Sequence, residues 1–227
     1  MILRNPFRKL TKLEWWLWLI SITVVCGSYL LSGNFYPLTL MASLVGITAL
    51  IFVAKGDVWG QILTVLFSLL YAIISFNFRY YGEMITYIGM TAPIAVMSII
   101  TWLRNPYANT TEVKVHQLNK RQKLWLVILT ILVTFVFYFI LEAFGTANLL
   151  VSTLSITTSF SASYLLMFRS PNYALAYAAN DIVLIGLWIL ASIDNLSYLP
   201  MIACFVMFFV NDIYGYNNWI RMKHRQQ

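Results

Sequence analysis

Apolar residues dominate eight stretches of the chain, at 16–31, 37–54, 58–76, 84–103, 124–144, 149–167, 174–193 and 198–220. About 20 such residues in a helix cross a ~30 Å hydrocarbon core, and a helix pairs its own N–H and C=O groups where no water can. The pattern predicts eight transmembrane helices joined mostly by short connections. Trp15, Trp16 and Trp18 stand at the start of the first run and are expected in the interfacial aromatic belt. That run exceeds a secretory h-region and no small-x-small site follows it, so it reads as a retained helix. The one long polar connection, 104–123, holds Asn105-Pro106 and a Thr-Thr-Glu stretch. It is expected to be a solvated cytoplasmic linker, too short for a domain.

Composition agrees with the pattern. Hydrophobic residues make up 60% of the 227 and charged residues 10%, against about 25% charged in a soluble domain. This is the composition of an integral membrane protein. The net charge of +7 does not point to nucleic acid, because the basic residues are scattered at the ends of apolar runs. With the N-terminus cytoplasmic, every Lys and Arg except Arg79 falls on the cytoplasmic side, from Arg4 through Lys55, Arg104, Lys123 and Arg169 to Arg225. Such a bias predicts that both termini are cytoplasmic. Cys26 and Cys204 lie in apolar runs without CxxC spacing, and His116 and His224 lie in polar segments, so no metal or cofactor site is visible. P-loop, HExxH, GxSxG and SxxK motifs are absent, and no lysine sits in mid-span, so an enzyme is not expected.

The two halves of the chain echo each other. Tyr71 and Trp102 are 31 residues apart, as are Trp188 and Trp219, so a slide of 117 lays the third and fourth runs over the seventh and eighth. With a slip of three, Asn34 falls on Asn148 and Lys55 on Arg169. The repeated unit is three helices, with the fifth run between the copies and the first outside them. Both copies then point the same way, a parallel repeat with any substrate site between the units near mid-depth. The divisions are 1–33 (tail and peripheral helix), 34–104 (first bundle), 105–145 (linker and connecting helix) and 146–227 (second bundle and tail).

Polar residues inside the last three runs are the candidate chemistry. Asn180-Asp181 and Asn211-Asp212 interrupt the seventh and eighth runs. A carboxylate at bilayer depth costs several kcal/mol and usually faces a cavity or a partner. The two runs are antiparallel neighbours joined through 194–197; Asp181 lies seven residues in from Ala174 and Asp212 seven residues before Trp219. At ~1.5 Å per residue, both sit roughly 10 Å inside the same face. Tyr173, Tyr177, Asp181 and Trp188 share one helical face, with Asn180 beside it. The eighth run adds Tyr214, Gly215 and, at the interface, Asn218 and Trp219. Ser152, Ser155, Ser159 and Ser163 form a stripe on the sixth run that suits helix packing as well as cavity lining. Gly89 and Pro93 mark a kink in the fourth, either static or a hinge. Gln61 is an isolated amide near the cytoplasmic end of the third.

The runs Tyr177-Ala-Ala-Asn-Asp-Ile-Val-Leu-Ile-Gly-Leu-Trp188 and Asn211-Asp-Ile-Tyr-Gly-Tyr-Asn-Asn-Trp219 resemble the PnuC family of vitamin transporters, and the segment 82–102 is similar to the matching first-half helices. The resemblance implies a SWEET-like core of three, one and three helices with an extra N-terminal helix. It implies a carrier in the bacterial cytoplasmic (inner) membrane that imports nicotinamide riboside by facilitated diffusion, with a cytosolic riboside kinase trapping the substrate, and often a homo-oligomer. A thiamine or riboflavin carrier, or a receptor of the same fold that does not transport, remains an alternative. One departure stands out: the family's Trp-x-x-Trp at the start of the seventh run corresponds here to Tyr173 and Ala176. The substrate-binding candidates are Gln61, Ser155, Ser159, Tyr177, Asn180, Asp181, Trp188, Asn211, Asp212 and Tyr214. A cationic pyridinium ring favours an aromatic face by ~0.5–2 kcal/mol, and ribose hydroxyls call for amides and hydroxyls. Asp181 and Asp212 either offset the positive charge or form a cytoplasmic gate.

Overall fold

The computed structural model describes residues 5–31, 37–77, 80–108, 110–146, 148–194 and 198–227. Among them, eight helices are long and apolar enough to cross a membrane. They are α1 (Lys12–Leu31), α2 (Pro37–Ala54), α3 (Val58–Asn77), α4 (Tyr81–Leu103), α5 (Lys120–Ala143), α6 (Leu149–Met167), α7 (Tyr173–Asp194) and α8 (Leu199–Gln226). The described residues hold only isolated β-bridges besides, so the chain is an all-α multi-pass membrane protein. Arg4, Asn34 and Arg79, and residues 195–197 of the α7–α8 connection, lie outside the described residues.

Helices α1, α5 and α8 run four to six residues past the limits expected from hydropathy, the first two because of caps that hydropathy does not register. Thr11 and Glu14 cap α1 reciprocally: the Glu14 N–H donates to Thr11 Oγ1 (3.3 Å) and the Thr11 N–H to Glu14 Oε2 (2.6 Å). Asn119 and Gln122 form the same capping box before α5. The last helix runs on to Gln226, past the apolar run and into a polar tail. In α4 the kink takes the form of a π-turn over Tyr87–Thr91, just before Pro93. A wider turn leaves room beside a residue that lacks an N–H, and π-turns concentrate at functional sites.

Helices α2, α3 and α4 pack in sequence, as do α6, α7 and α8. The two triplets meet through α2 against α8 and α4 against α6. Helix α1 leans on α2 and α8, while α5 packs chiefly on α6 and buries only Leu141, leaving an apolar outer face for lipid. The α2–α3 contact is close because Gly60 has no side chain; a Cβ there would strike the Val53 backbone.

The same turn closes α2 and α6. The N–H of Gly56 bonds to Val53 O and that of Asp57 to Phe52 O; the N–H of Arg169 bonds to Leu166 O and that of Ser170 to Leu165 O. The residue at the corner has positive φ in both, 65° at Gly56 and 59° at Arg169, the usual way to satisfy the last carbonyls of a helix. Two indoles add a crossed pair of bonds to these ends: Trp219 Nε1 donates to Val53 O (2.9 Å) and Trp102 Nε1 to Leu166 O (3.3 Å). Between them the Trp102 and Trp219 rings lie 5.7 Å apart.

Polar latches tie the outer parts to this core. Glu14 is buried at the foot of α1, where it takes the Lys55 ammonium at 2.8 Å and the Tyr214 hydroxyl at 2.9 Å. Trp18, expected at the interface, donates its indole N–H to Thr48 Oγ1 (3.1 Å), and Phe7 packs against Trp15, Trp18 and Phe52. Trp16 is exposed, as an interfacial residue would be. The connection after α4 is not a solvated linker. Val113 is buried, Val113 N–H bonds Gly56 O, Glu112 pairs with Arg225, and the Gln226 side chain bonds Glu112, Val113 and Val115. Its backbone hydrogen bonds go to the α2–α3 turn and to the end of α8, partners that no sequence period announces.

The Glu14–Lys55 pair generates the first prediction. Lys55→Met leaves a buried carboxylate without its cation and destabilises the detergent-purified protein by roughly 3 kcal/mol. In a thermal-denaturation series the double variant Glu14→Leu/Lys55→Met recovers part of that loss, whereas a pair that contributes nothing would leave all variants melting together.

Candidate functional site

A cavity lies between the two helix triplets. Each triplet contributes: Val53, Thr64, Phe67, Tyr87 and Thr91 from the first, Ser159, Tyr177, Asn180, Asp181 and Asp212 from the second, with Phe205 and Phe208 closing one side. No Lys, Arg or His lines it among the described residues.

Its polar wall follows from helix periodicity. Tyr177, Asn180 and Asp181 stand at i, i+3 and i+4 on α7, so one face presents a phenol, an amide and a carboxyl together. Asp212 comes from α8, packed antiparallel to α7. Both aspartates are buried, at 2% and 3% exposure, and their carboxyl groups lie within electrostatic reach of each other. Two ionised carboxylates repel and have no donor between them, so buried neighbours of this kind favour sharing a proton. Asp181 Oδ2 has no partner. The neighbouring groups are held in place: Thr158 donates to Asn180 Oδ1 (2.8 Å), and Ser163 Oγ and the Tyr177 hydroxyl lie 2.8 Å apart.

Beside this cavity is a smaller hollow, which shares Thr64, Thr91, Leu166 and Tyr177 with it. Gln61 faces the smaller hollow, fully buried, and neither its amide nitrogen nor its oxygen has a partner. Leaving both atoms unpaired costs a few kcal/mol, and an incoming polar group would remove that cost. A third hollow, lined by Lys123, Lys223 and Asn172 among others, lies where α5 meets the ends of α7 and α8 and has no acid in its wall.

Five sequence candidates therefore line one cavity: Ser159, Tyr177, Asn180, Asp181 and Asp212. Gln61 lines the adjoining hollow. Ser155 is buried one helical turn from Ser159 and lines neither. Asn211 points the other way, toward α1, donating to Ser21 Oγ (3.1 Å) and Met207 O (2.7 Å). Tyr214 is taken by Glu14. Trp188 is fully buried two turns beyond Asp181, outside the cavity wall, with its Nε1 donating to the Tyr71 hydroxyl (3.1 Å). Tyr173, at the position of the family's first tryptophan, packs edge-on against Trp219 at 5.0 Å. The first-half residues Thr64, Phe67, Tyr87 and Thr91 escaped sequence reading, being ordinary helix residues in apolar runs. One signal was available for Thr64: the 117-residue slide lays it on Asp181.

Known proteins match over nearly the whole chain. The model of the family described as "Nicotinamide mononucleotide transporter" matches residues 36–221. A nicotinamide riboside transporter PnuC of Neisseria mucosa is 26% identical, over 96% of this chain and 89% of its own length. The corresponding Haemophilus influenzae protein is 23% identical, over 83% and 81%. A crystal structure of the vitamin B3 transporter PnuC superposes with a TM-score of 0.83 at 26% identity, covering 96% of this chain and 94% of the other. These relatives are transporters by name, not enzymes. With eight spans among the described residues and this breadth of match, the chain belongs to the nicotinamide mononucleotide transporter family, among the PnuC transporters.

Proposed function

We propose that the chain carries nicotinamide riboside into the cytoplasm by facilitated diffusion. The observation that carries this reading is the charge of the cavity: one acid pair, aromatic rings and hydroxyls, with no basic residue in the wall. Nicotinamide riboside is a flat cation, which such a wall attracts through charge and through the aromatic faces. The mononucleotide in the family's description bears a phosphate dianion, and an acid pair with no cation beside it repels phosphate. The names of the Neisseria and Haemophilus relatives support the riboside in the same way. The same repulsion supports trapping: a substrate phosphorylated by a cytosolic kinase does not return through the carrier.

Gln61 favours this vitamin over thiamine, another flat cation. An amide with both atoms unpaired matches a primary carboxamide, which has one acceptor and two donors. The adjoining hollow then takes the carboxamide, while Asn180 and the hydroxyls around it serve the ribose.

Alternating access follows from two three-helix units related by an axis between them. Several features support the pairing. The contacts between triplets are an exchanged pair, α2 with α8 and α4 with α6. The indole bonds are exchanged too, Trp102 to Leu166 and Trp219 to Val53. Residues on such an axis meet their own counterparts, as Tyr71 meets Trp188 and Trp102 meets Trp219, each pair 117 apart. The offset at the repeated turn is 113, Gly56 to Arg169; the difference of four is close to one helical turn and leaves the faces aligned. With both termini cytoplasmic, Trp102–Trp219 closes the cytoplasmic side of the cavity and Tyr71–Trp188 the outer side. Rocking of the units opens one pair at a time.

Purified protein in liposomes is expected to take up radiolabelled nicotinamide riboside, faster when a riboside kinase and ATP are enclosed, with little competition from thiamine or riboflavin. Binding without uptake would make the protein a receptor, and strong competition by thiamine would overturn the choice of vitamin. The acid pair yields a sharper expectation. Asp181→Asn or Asp212→Asn alone keeps one carboxylate and an amide donor in place of the shared proton, so each changes uptake by less than about three-fold. Asp181→Asn with Asp212→Asn removes the charge and weakens riboside affinity at least about ten-fold, or ~1.4 kcal/mol. For Gln61→Leu, competition measurements should find weaker riboside binding and lost preference over the carboxylate analogue, nicotinic acid riboside; retained preference would remove Gln61 from the site.

A further inference from the structure

Among the described residues, Glu83 is the one buried acid near the outer end of the bundle that neither the cavity nor the latches employ. It lies in the first turn of α4, is 2% exposed, and its Oε2 has no hydrogen-bond partner. Among the described residues no Lys, Arg or His pairs with it. A place in the first turn of a helix suits an acid electrostatically, but it does not account for burial with an oxygen unpartnered. Ionisable side chains inside a membrane protein usually face a pathway or a partner. The described residues supply no partner, so the surroundings point to the pathway.

Those surroundings are aromatic. Glu83 and Tyr87 stand at i and i+4, on one face of α4, and the carboxyl is within electrostatic reach of the Tyr71 and Tyr87 hydroxyls. The Tyr71 and Tyr87 rings are 4.2 Å apart, and Tyr71 accepts the Trp188 indole N–H. Tyr80 and Tyr198 pack on the other side of Trp188, at 5.1 and 5.4 Å. Tyr87 also forms part of the cavity wall. One aromatic layer therefore separates two acidic levels: Glu83 outside, the Asp181–Asp212 pair within. The π-turn that begins at Tyr87 gives this partition a place to shift.

We propose that Glu83, with Tyr71, Tyr87 and Trp188, forms an outer binding station for the flat cationic substrate, occupied before the aromatic layer parts and the cation passes to the acid pair. A flat cation supplies what the station lacks, a counter-charge for Glu83 and a face for the rings. Trp188 then meets substrate at this station and not in the central cavity. The inference rests on the carrier reading given above.

The test is uptake kinetics in liposomes for the full-length protein and two variants, each first shown to be monodisperse in detergent. Because the station binds substrate before the translocating step, its loss shows in KM and spares kcat. Glu83→Gln is expected to raise the KM for nicotinamide riboside about ten-fold, or ~1.4 kcal/mol, while kcat stays within about two-fold. Glu83→Asp, which keeps the charge, is expected to recover most of the KM. An unchanged KM in Glu83→Gln overturns the proposal, as does a fall in kcat that Glu83→Asp shares. Normal wild-type uptake with either of those results sinks the outer station alone. If the wild type takes up no riboside, the carrier reading fails and the station fails with it.

Discussion

A pair of neighbouring buried aspartic acids between the two halves of a helix bundle sets the terms for everything around it. Two separate charges there would be prohibitive, whereas a pair that shares a proton carries one charge and satisfies part of its own hydrogen bonding. The remaining charge still needs polar surroundings, and the Asn180, Tyr177 and Ser159 side chains supply them on adjacent helix faces. What the wall omits is a cation. That omission is the ground for proposing a positively charged guest and for proposing that a phosphorylated one is repelled.

Holding such a site between two helix triplets requires the triplets to meet without sealing permanently. Their contacts are few in kind: α2 on α8, α4 on α6, two indole bonds to helix ends, and two aromatic pairs above and below the cavity. The indole bonds use carbonyls at helix termini, which lie outside the intrahelical ladder and accept a second donor easily. Aromatic pairs are suited to closing a pathway because their contacts are worth only ~1 kcal/mol beyond area burial and can re-form in another arrangement.

The periphery works by a different rule. Helix α1 and the connection after α4 lie outside the triplets, and each is fastened by polar groups at the ends of the bundle. Glu14 joins Lys55 and Tyr214; Glu112 and Val113 join the end of α8. At these positions water is near enough to lower the cost of a charge, so ion pairs can serve as fasteners where the interior admits only one acid pair.

Hydropathy was enough to place all eight spans, since lipid permits no alternative to a paired helix and each span needs a long apolar run. The acid pair was also legible, because an aspartate in such a run is costly and two at one depth on neighbouring helices imply a shared site. The direction of individual side chains was another matter. Asn211 and Asp212 are adjacent in sequence, yet one bonds α1 and the other faces the cavity; a step of one residue turns the side chain by about 100°, and only the packing of neighbours says which direction is inward. Trp188 lies on the same face as Asp181 but two turns away, within the aromatic layer and outside the cavity wall. Thr64, Tyr87 and Gln61 look ordinary or isolated along the chain and become a wall only when the first triplet is laid against the second. Apolar length and the cost of buried charge are local properties, readable residue by residue, whereas a cavity is a property of surfaces brought together from helices over a hundred residues apart.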